Sequence, residues 1–376
     1  MQDRKHSPET LAAQALGWID ETTRAVVPPL HISTTFERAP DNSFPNNRSY
    51  ARADSPAFCQ AEALLARLEG GEEAMLFASG MAAATCIFHL LAPGDHVVAP
   101  RVMYWALRDW LAADSRLDVT FVDTTDIDTV AQALVPGRTK LVWVETPANP
   151  MWNITDIKAV ADLAHQAGAS LAVDSTVATP VFTQPLALGA DLVMHSATKY
   201  LNGHSDVVAG ALVSRDIDAR WQRLKGQRAK LGGILGSFES WLLTRGMRTL
   251  YPRVRLAASN AFELARRLHA HPMIAEVLYP GLPEFPGHDV AARQMQGGFG
   301  AMLSIRVRGG EGAAIAAAGK IQVWKRATSL GGVESLVEHR ASVEGADSPC
   351  PPDLLRLSVG IENLEDLWAD LAQALS

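Results

Sequence analysis

The sequence predicts an α/β fold, with a mostly parallel sheet covered by helices on both faces and a smaller α+β unit after it. Between about residues 57 and 245, short apolar runs alternate with amphipathic runs, which is typical of repeated β-α units. Farther along, residues 301–306 and 354–358 alternate apolar and polar side chains, as half-buried antiparallel strands do. The length of 376 residues also exceeds what one hydrophobic core usually serves.

The individual elements follow from local patterns. Residues 11–18 predict a short helix, and the Pro-, Asn- and Asp-rich residues 38–48 predict a loop. The amphipathic run 57–69 ends at Gly70-Gly71, and the run 157–166 ends before Gly168, so both predict helices with glycine stops. Residues 257–269 predict a further amphipathic helix. The predicted strands of the large sheet are 74–78, 96–99, 119–122, 140–144, 171–173 and 192–195, with 209–214 as an antiparallel neighbour.

Composition narrows the class of protein. The formal net charge of -7 argues against a nucleic-acid binder, which would carry a basic excess. Cys59, Cys86 and Cys350 are few and far apart, so neither a disulfide framework nor a zinc ribbon is expected. Residues 1–10 show no signal-peptide pattern, and the apolar run 82–92 is too short to span a bilayer. We therefore expect a cytoplasmic protein with no metal, no nucleic-acid partner and no membrane partner.

Two polar residues follow neighbouring predicted strands. One apolar run ends in Asp174, and the next leads through His195 to Lys199. Open α/β sheets bind ligands at the carboxyl ends of their strands. There a lysine can hold the aldehyde of pyridoxal phosphate as a Schiff base, and an aspartate can keep the ring nitrogen protonated, which makes the ring an electron sink. A lysine after a strand is more often a solvated surface residue, and an aspartate there is more often an N-cap or a salt-bridge partner. The spacing of the pair nevertheless favours the cofactor interpretation.

A phosphate site is predicted beside this pair. Residues 77–82 run from a strand through a small-residue turn into an Ala-rich helix, whose free N–H groups at Gly80 and Met81 suit a phosphate. The same pattern is compatible with a tight turn that binds nothing. The hydroxyls of Ser196 and Thr198 follow the strand before Lys199 and can reach the same anion.

Four longer motifs connect these residues to a known family. They are ADLVMHSATKYLNGHSDVVAG at 190–210, VETPANP at 144–150, SLGGVESL at 329–336 and LLRLSVGIE at 354–362. Together they resemble the Cys/Met metabolism PLP-dependent enzymes, a family that includes cystathionine γ-synthase, cystathionine γ-lyase, cystathionine β-lyase and methionine γ-lyase. The resemblance covers nearly the whole chain. It implies the PLP-dependent transferase fold of type I and pyridoxal 5'-phosphate as cofactor.

The resemblance implies a role for each matching residue. Lys199 would be the Schiff-base lysine and proton shuttle, and Asp174 would pair with the pyridinium nitrogen. Tyr104 would stack on the ring and take part in proton transfer, although beside Trp105 it is also compatible with core packing. The implied phosphate and cofactor contacts are Gly80, Met81, Ser196, Thr198 and Thr176. The implied substrate contacts are Arg356, which would clamp the carboxylate bidentately, with Asn149, Ser329 and Thr328.

The same resemblance implies a role for the N-terminal arm. Tyr50 and Arg52 match a Y-x-R element that crosses to the phosphate of a neighbouring subunit, which implies a homo-oligomer, usually a tetramer built from dimers. From the residues alone, the two could equally be solvated. The expected organisation is an arm (1–50) that reaches a neighbouring subunit, a PLP-binding domain (51–245) and a C-terminal domain (246–376).

Three departures from the family bear on the substrate. Thr328 stands where cystathionine γ-synthases and γ-lyases typically carry a glutamate, so the distal amino group of cystathionine would lose a partner. Residues 338–353 replace a longer segment that carries an M-T-H motif in relatives. Trp105 follows Tyr104 where many relatives have glycine, and we expect it to narrow the pocket or to offer a cation–π face.

The predicted function is γ-elimination or γ-replacement on an L-homoserine-derived amino acid, such as O-acylhomoserine, cystathionine, methionine or a canavanine-type substrate. The departures favour a γ-lyase for a substrate other than cystathionine. Alternatives are β-elimination of the cystathionine β-lyase type and a non-catalytic PLP-binding protein. Metal-dependent hydrolysis is weaker, because His195, His204 and Asp206 are close in sequence without H-E-x-x-H or a paired CxxC.

Overall fold

The computed structural model describes residues 6–344 and 349–376. Its larger sheet has seven strands in the order β1-β7-β6-β5-β4-β2-β3. Neighbouring strands from β2 to β6 run parallel, whereas β7 is antiparallel to both β1 and β6, as predicted for residues 209–214. The strands are Glu73–Phe77 (β1), His96–Pro100 (β2), Asp118–Val122 (β3), Thr139–Glu145 (β4), Ser170–Asp174 (β5), Leu192–His195 (β6) and Gly210–Ser214 (β7).

Helices connect most of these strands and cover both faces of the sheet. Along β4, Leu141 and Trp143 pack into one apolar cluster, and the intervening Val142 and Val144 pack into the cluster on the opposite face. This burial on both faces confirms the predicted layer order. The helices are Pro8–Ala13 (α1), Pro56–Glu69 (α2), Gly80–Phe88 (α3), Trp105–Ala113 (α4), Ile127–Ala133 (α5), Ile157–Gln166 (α6), Thr179–Phe182 (α7), Ala219–Leu231 (α8) and Ser237–Met247 (α9).

Capping residues set the helix ends where the sequence predicted them. Ser55 Oγ accepts from the amide of Ala57 at the start of α2, and Gly70 ends that helix with φ 70°. The predicted helix 11–18 is shorter and broken. It begins at Pro8, ends at Ala13 and continues as a 3-10 turn over Ala15–Gly17, because Leu16 takes a left-handed φ of 62°.

The second sheet has five strands in the order β10-β11-β12-β9-β8. Except for the parallel pair β10–β11, its neighbours are antiparallel, and the predicted strands 301–306 and 354–358 correspond to β9 and β12. The strands are Ile274–Leu278 (β8), Met302–Val307 (β9), Lys325–Arg326 (β10), Leu336–His339 (β11) and Leu354–Ser358 (β12). The helices of this region are Leu250–His269 (α10), His288–Gln294 (α11), Gly310–Lys320 (α12), Ala341–Glu344 (α13) and Leu364–Ala374 (α14).

Helix α10 begins seven residues before the predicted start at residue 257. Pro252 does not break this helix, because it lies in the first turn, where a backbone N–H would have no intrahelical acceptor. The division of the chain at residues 50 and 245 remains a prediction. The sequence analysis singled out residues 338–353 as a segment that is longer in relatives. Within it, residues 345–348 lie outside the described residues. None of the helices in the described ranges combines the length and the apolarity needed to cross a membrane.

Candidate active site

A cavity of about 260 Å³ opens at the carboxyl ends of β4, β5 and β6. It is lined by nine of the residues that the sequence analysis singled out, namely Gly80, Met81, Tyr104, Asn149, Asp174, Thr176, Ser196, Thr198 and Lys199. Arg356 and Ser329 are joined to it through hydrogen bonds to Asn149 and Lys199. Trp105 begins α4 but does not line the cavity, contrary to the prediction that it narrows the pocket.

Asp174 is the last residue of β5 and is buried. Its Oδ1 accepts from the amide of Thr176 at 3.0 Å, and the hydroxyl of Thr176 accepts from the amide of Ser196 at 2.8 Å. Burial raises the pKa of Asp174, although its hydrogen bonds from Thr176 and the charge of His195 act in the opposite direction. A buried carboxylate that no lysine or arginine of the described residues pairs with is unfavourable on its own. It fits the protonated ring nitrogen of pyridoxal phosphate, which would supply the missing positive charge.

Lys199 follows β6 in a turn, and its Nζ donates to Ser329 Oγ at 2.8 Å. Burial, followed by the nearby guanidinium of Arg356, lowers the pKa of Lys199 to about 8. Ser329 itself has φ 112°, a strained value for a residue with a side chain, and such strain is concentrated at functional sites. The surroundings of Lys199 therefore increase the fraction of neutral amine, the form that attacks an aldehyde.

This pKa gives a prediction for the cofactor-free protein. The rate at which it captures added pyridoxal phosphate should rise with pH and reach half its maximum near pH 8, because only neutral Lys199 reacts. A lysine with the ordinary value of 10.5 would still be almost fully protonated there. Stopped-flow absorbance across pH 6.5–10.5 measures this profile. Lys140→Ala, at an exposed lysine bonded to the carbonyl of Gly137, is the control and should leave it unchanged. A midpoint near pH 10 would contradict the prediction.

Small residues bring the start of α3 against the turn after β6. Ser79 Oγ accepts from the amide of Ala82, while the amides of Gly80 and Met81 in the first turn have no intrahelical acceptor. A Cβ on Gly80 would lie 2.9 Å from Ser196 Cβ, so only glycine permits this approach. The resulting concave surface of amide N–H and hydroxyl groups fits a phosphate.

The two predicted hydroxyl ligands differ in what they can offer. Thr198 Oγ1 donates to the carbonyl of Ala209 at 3.0 Å and accepts from its amide at 2.9 Å. Its single proton is therefore used within the chain. Ser196 lines the cavity directly beside Gly80 and is the better placed phosphate donor.

A second glycine tests the same close packing. A Cβ on Gly210 would lie 2.1 Å from the carbonyl oxygen of Ser79, so Gly210→Ala must push the turn before α3 away from β7. We expect a loss of stability of about 1–3 kcal/mol and weaker cofactor binding. Gly226→Ala is the matched control, because Gly226 has no neighbour within 4 Å and lies inside α8. It should stabilise the protein by about 0.5–1 kcal/mol. Denaturant titration and cofactor content measure both, and intact cofactor binding in Gly210→Ala would contradict this description of the phosphate site.

Glu145 is a site residue that the sequence analysis did not assign. It ends β4 opposite Asp174. Its carboxylate accepts from the amide of Tyr104 at 2.6 Å and from the amide of Asn149 at 2.9 Å. Burial, followed by Asp174, raises the pKa of Glu145 to about 8. Its position at the end of a buried strand, like that of Asp174, was the signal that could have identified it.

Arg356 in β12 is almost fully buried, and burial lowers its pKa to about 10. Its Nη1 donates to Asn149 Oδ1 at 3.0 Å, and its Nη2 donates to the carbonyl of Ser329 at 2.9 Å and to Glu338 Oε2 at 2.6 Å. Its Nε has no partner in the described chain. An orphaned buried donor on a guanidinium fits the carboxylate of an amino-acid substrate.

Glu338 places a carboxylate beside Thr328 that the sequence analysis did not foresee. The sequence analysis found no carboxylate at this place, but Thr328 Oγ1 donates to Glu338 Oε1 at 2.5 Å. That carboxylate comes from β11 and is already engaged by Arg356 and Arg340. Burial works to raise the pKa of Glu338, but Arg356 and the hydrogen bonds from Thr328 and Arg340 hold it below its ordinary value.

Tyr50 and Arg52 lie outside the cavity of their own chain. Tyr50 is 50% exposed, and the guanidinium of Arg52 lies 5.9 Å from its ring centroid. Arg52 also donates to the carbonyl of Ala229. The structure therefore keeps this pair together on the surface, apart from the other predicted site residues.

The three residues weighed for metal chemistry have protein partners. His195 Nε2 lies 2.5 Å from Glu69 Oε1, His204 Nδ1 contacts the carbonyl of Asn202, and Asp206 accepts from the side chain of Asn202. Within residues 6–344 and 349–376, no group of three His, Cys, Asp or Glu side chains is arranged to hold a metal ion.

Comparison with known proteins agrees with this geometry. The family model for Cys/Met metabolism PLP-dependent enzymes matches residues 9–376. Cystathionine gamma-synthase of Mycobacterium tuberculosis is 45% identical over 379 residues, which cover 98% of this chain and 96% of the relative. Cystathionine beta-lyase of Coxiella burnetii is 38% identical, covering 95% and 94%. The crystal structure of apo CalE6, a methionine gamma lyase from Micromonospora echinospora, has a TM-score of 0.92 and 38% identity, with 99% of each chain covered.

Proposed function

Because the chain belongs to the Cys/Met metabolism PLP-dependent enzyme family, we propose that it acts at the γ-carbon of an L-homoserine-derived amino acid, as a γ-lyase for a substrate other than cystathionine. At the coarser level, it is a PLP-dependent lyase or transferase of amino-acid metabolism, which catalyses elimination or replacement at the β- or γ-carbon. The finer assignment rests on its own side chains.

The observation that carries the proposal is the placement of Lys199 and Asp174 in one cavity at the ends of adjacent parallel strands. When bound there, pyridoxal phosphate supplies an electron sink that makes the Cα–H bond of an amino acid acidic. Asp174 would hold the ring nitrogen protonated, and Ser196 with the amides of Gly80 and Met81 would hold the phosphate. Tyr104, whose amide donates to Glu145, would contact the ring.

Lys199 is the base that removes the Cα proton and then moves a proton at Cβ. Its lowered pKa of about 8 leaves a useful fraction of neutral amine near neutral pH. Its hydrogen bond to Ser329 Oγ holds Nζ in the cavity. Arg356 offers the substrate carboxylate the hydrogen of its unpaired Nε, and Asn149 holds the guanidinium through Nη1.

The preference against cystathionine follows from the charges around Thr328. The distal ammonium of cystathionine requires an uncommitted acceptor there. Thr328 offers a hydroxyl that is bound to Glu338, and Glu338 is already neutralised by two arginines. An O-acylhomoserine, methionine or a canavanine-type substrate does not present this zwitterionic end to the pocket.

The proposed assembly is a homo-oligomer in which each site is completed by a second copy. Tyr50 and Arg52 supply a hydroxyl and a guanidinium that their own chain leaves on its surface, which suits the phosphate of a neighbouring subunit. Exposed apolar side chains on the same arm support a protein interface there. Val26 is 67% exposed and Ile32 is 76% exposed.

A product screen tests the function. Purified holoenzyme is incubated with O-acetylhomoserine, O-succinylhomoserine, cystathionine, methionine or canavanine, each with and without cysteine, and the products are identified by mass. We expect homoserine or 2-oxobutanoate without any thiol, from a substrate other than cystathionine. A thioether that forms only with cysteine would make the protein a γ-synthase. Pyruvate from cystathionine would make it a β-lyase. No turnover by a cofactor-loaded protein would favour a non-catalytic role.

A further inference from the structure

Four charged side chains are linked by successive ion pairs behind the proposed carboxylate site, in the order Glu344, Arg340, Glu338 and Arg356. We call these four residues the ion chain. Arg340 Nη2 lies 2.5 Å from Glu344 Oε1, Arg340 Nη1 lies 2.8 Å from Glu338 Oε2, and Glu338 Oε2 lies 2.6 Å from Arg356 Nη2. All four side chains are between 2% and 8% exposed. The ion chain is therefore a buried network that ends at the group that receives the substrate.

Stability does not account for such a network. Removing charges from water costs several kcal/mol per ion, and the mutual attraction of buried pairs often fails to repay it. Apolar side chains of similar volume would frequently serve the fold as well. A role in orienting Arg356 explains why the charges are present.

The geometry fixes the guanidinium from three sides. Glu338 and Arg356 lie directly opposite each other on β11 and β12, so the strand pairing itself sets their approach. Asn149 and the carbonyl of Ser329 hold the other contacted hydrogens. Ser329 also receives the hydrogen bond of Lys199, which ties the angle of Arg356 to the position of the base.

Glu338 alone would be a poor neighbour for a substrate carboxylate, because two like charges close together repel. Arg340 removes that disadvantage by pairing with the same oxygen of Glu338 that binds Arg356. Glu344 in turn pairs with Arg340. The pair Glu338 and Arg340 thus orients Arg356 without adding net charge.

We infer that Glu338 and Arg340 are positioning residues for Arg356 and hold its guanidinium in the orientation that binds the substrate carboxylate. The inference rests on the proposed function, in which Arg356 binds that carboxylate. It assigns Glu338 and Arg340 no contact with the reacting atoms. Their effect is therefore expected in carboxylate recognition and not in binding of the substrate amine.

The experiment compares two probes that differ only in a carboxylate, L-2-aminobutyrate and n-propylamine. Titrations of the holoenzyme, followed by the change in cofactor absorbance, give a Kd for each. The ratio of the two Kd values measures carboxylate recognition. The variants are Glu338→Ala, Arg356→Ala and the apolar pair Glu338→Leu/Arg340→Met. Glu62→Ala is the control, because it breaks a different ion pair with the buried Arg228, whose Nη1 lies 2.5 Å from Glu62 Oε1.

In Glu338→Ala, we expect the preference for the carboxylate-bearing probe to fall about tenfold or more, with the Kd of n-propylamine unchanged. Glu338→Leu/Arg340→Met removes one charge of each sign and should lose the same preference, but its Tm should fall, because Arg356 and Glu344 each lose an ion-pair partner. An unchanged Kd for n-propylamine in both Glu338 variants separates positioning of Arg356 from a general loss of structure. A preference within about twofold of the parent in both Glu338 variants would overturn the inference. So would an equal loss in Glu62→Ala. If Arg356→Ala keeps the full preference, the proposed role of Arg356 fails instead.

Discussion

Replacing Lys199 with alanine should abolish turnover, with keto-acid formation lowered by at least about 10³-fold. In the proposed function the side chain is both the covalent anchor for the cofactor and the base at Cα, so its removal takes away two roles at once. Its nearest described partner is the hydroxyl of Ser329 at 2.8 Å, which is not a base at neutral pH. Product formation is followed by mass, and the bound cofactor by its visible absorbance.

Misfolding would give the same loss of activity, so stability must be measured beside it. Lys199→Ala removes one hydrogen bond, worth about 1 kcal/mol, and a buried amine whose charged form is disfavoured. The two effects oppose each other, and Tm should change little. Lys140→Ala at the protein surface should retain full activity. Normal turnover by Lys199→Ala would refute the site assignment.

Asp174→Asn is expected to lower kcat by about 10²- to 10³-fold, because a fixed negative charge is lost where the reaction needs a protonated ring nitrogen. The asparagine keeps the shape of the side chain and can still accept from the amide of Thr176. The cofactor should therefore remain bound. Asp126→Asn, at the exposed N-cap of α5, is the matched control, since asparagine caps a helix as well as aspartate does.

Asp174→Asn should lower activity but raise the stability of the cofactor-free protein. Burial raises the pKa of Asp174 in the folded state above its unfolded value. The carboxyl therefore lowers the free energy of unfolding as the pH rises from the unfolded pKa through the folded pKa. Asp174→Asn removes the cost and should raise the Tm of the cofactor-free protein at pH 8. Lower activity together with a higher Tm distinguishes a functional carboxylate from a structural one. A variant with a lower Tm and full kcat would show that Asp174 serves the fold instead.

The sequence predicted the parts of the site that depend on local order. Asp174 and Lys199 come together because β5 and β6 are adjacent parallel strands joined by a short crossover, and such strands end at the same edge of a sheet. The helix start at Gly80 was visible for the same reason, as a strand, a small-residue turn and an apolar helix in succession.

The contacts that the sequence did not predict depend on register between distant segments. Glu338 faces Arg356 only because β11 and β12 pair with that particular register, and a shift of one residue would point the side chains elsewhere. The threonine at position 328 therefore predicted that no carboxylate lies there, whereas Glu338 of the next strand places one within hydrogen-bond distance. For Glu145, the end of a buried strand was a usable signal, but no side-chain pattern predicts its partners, the amides of Tyr104 and Asn149.

The position of β7 between β1 and β6 has a consequence for biosynthesis. The turn that carries Gly80 is translated early, but it is held in place by Gly210, which follows it only after most of the large sheet has been made. Pairing segments so far apart must first overcome the entropy of closing a long loop. A nascent chain that stops before β7 should therefore be unable to retain the cofactor. Capture of pyridoxal phosphate would then report that the large sheet has closed.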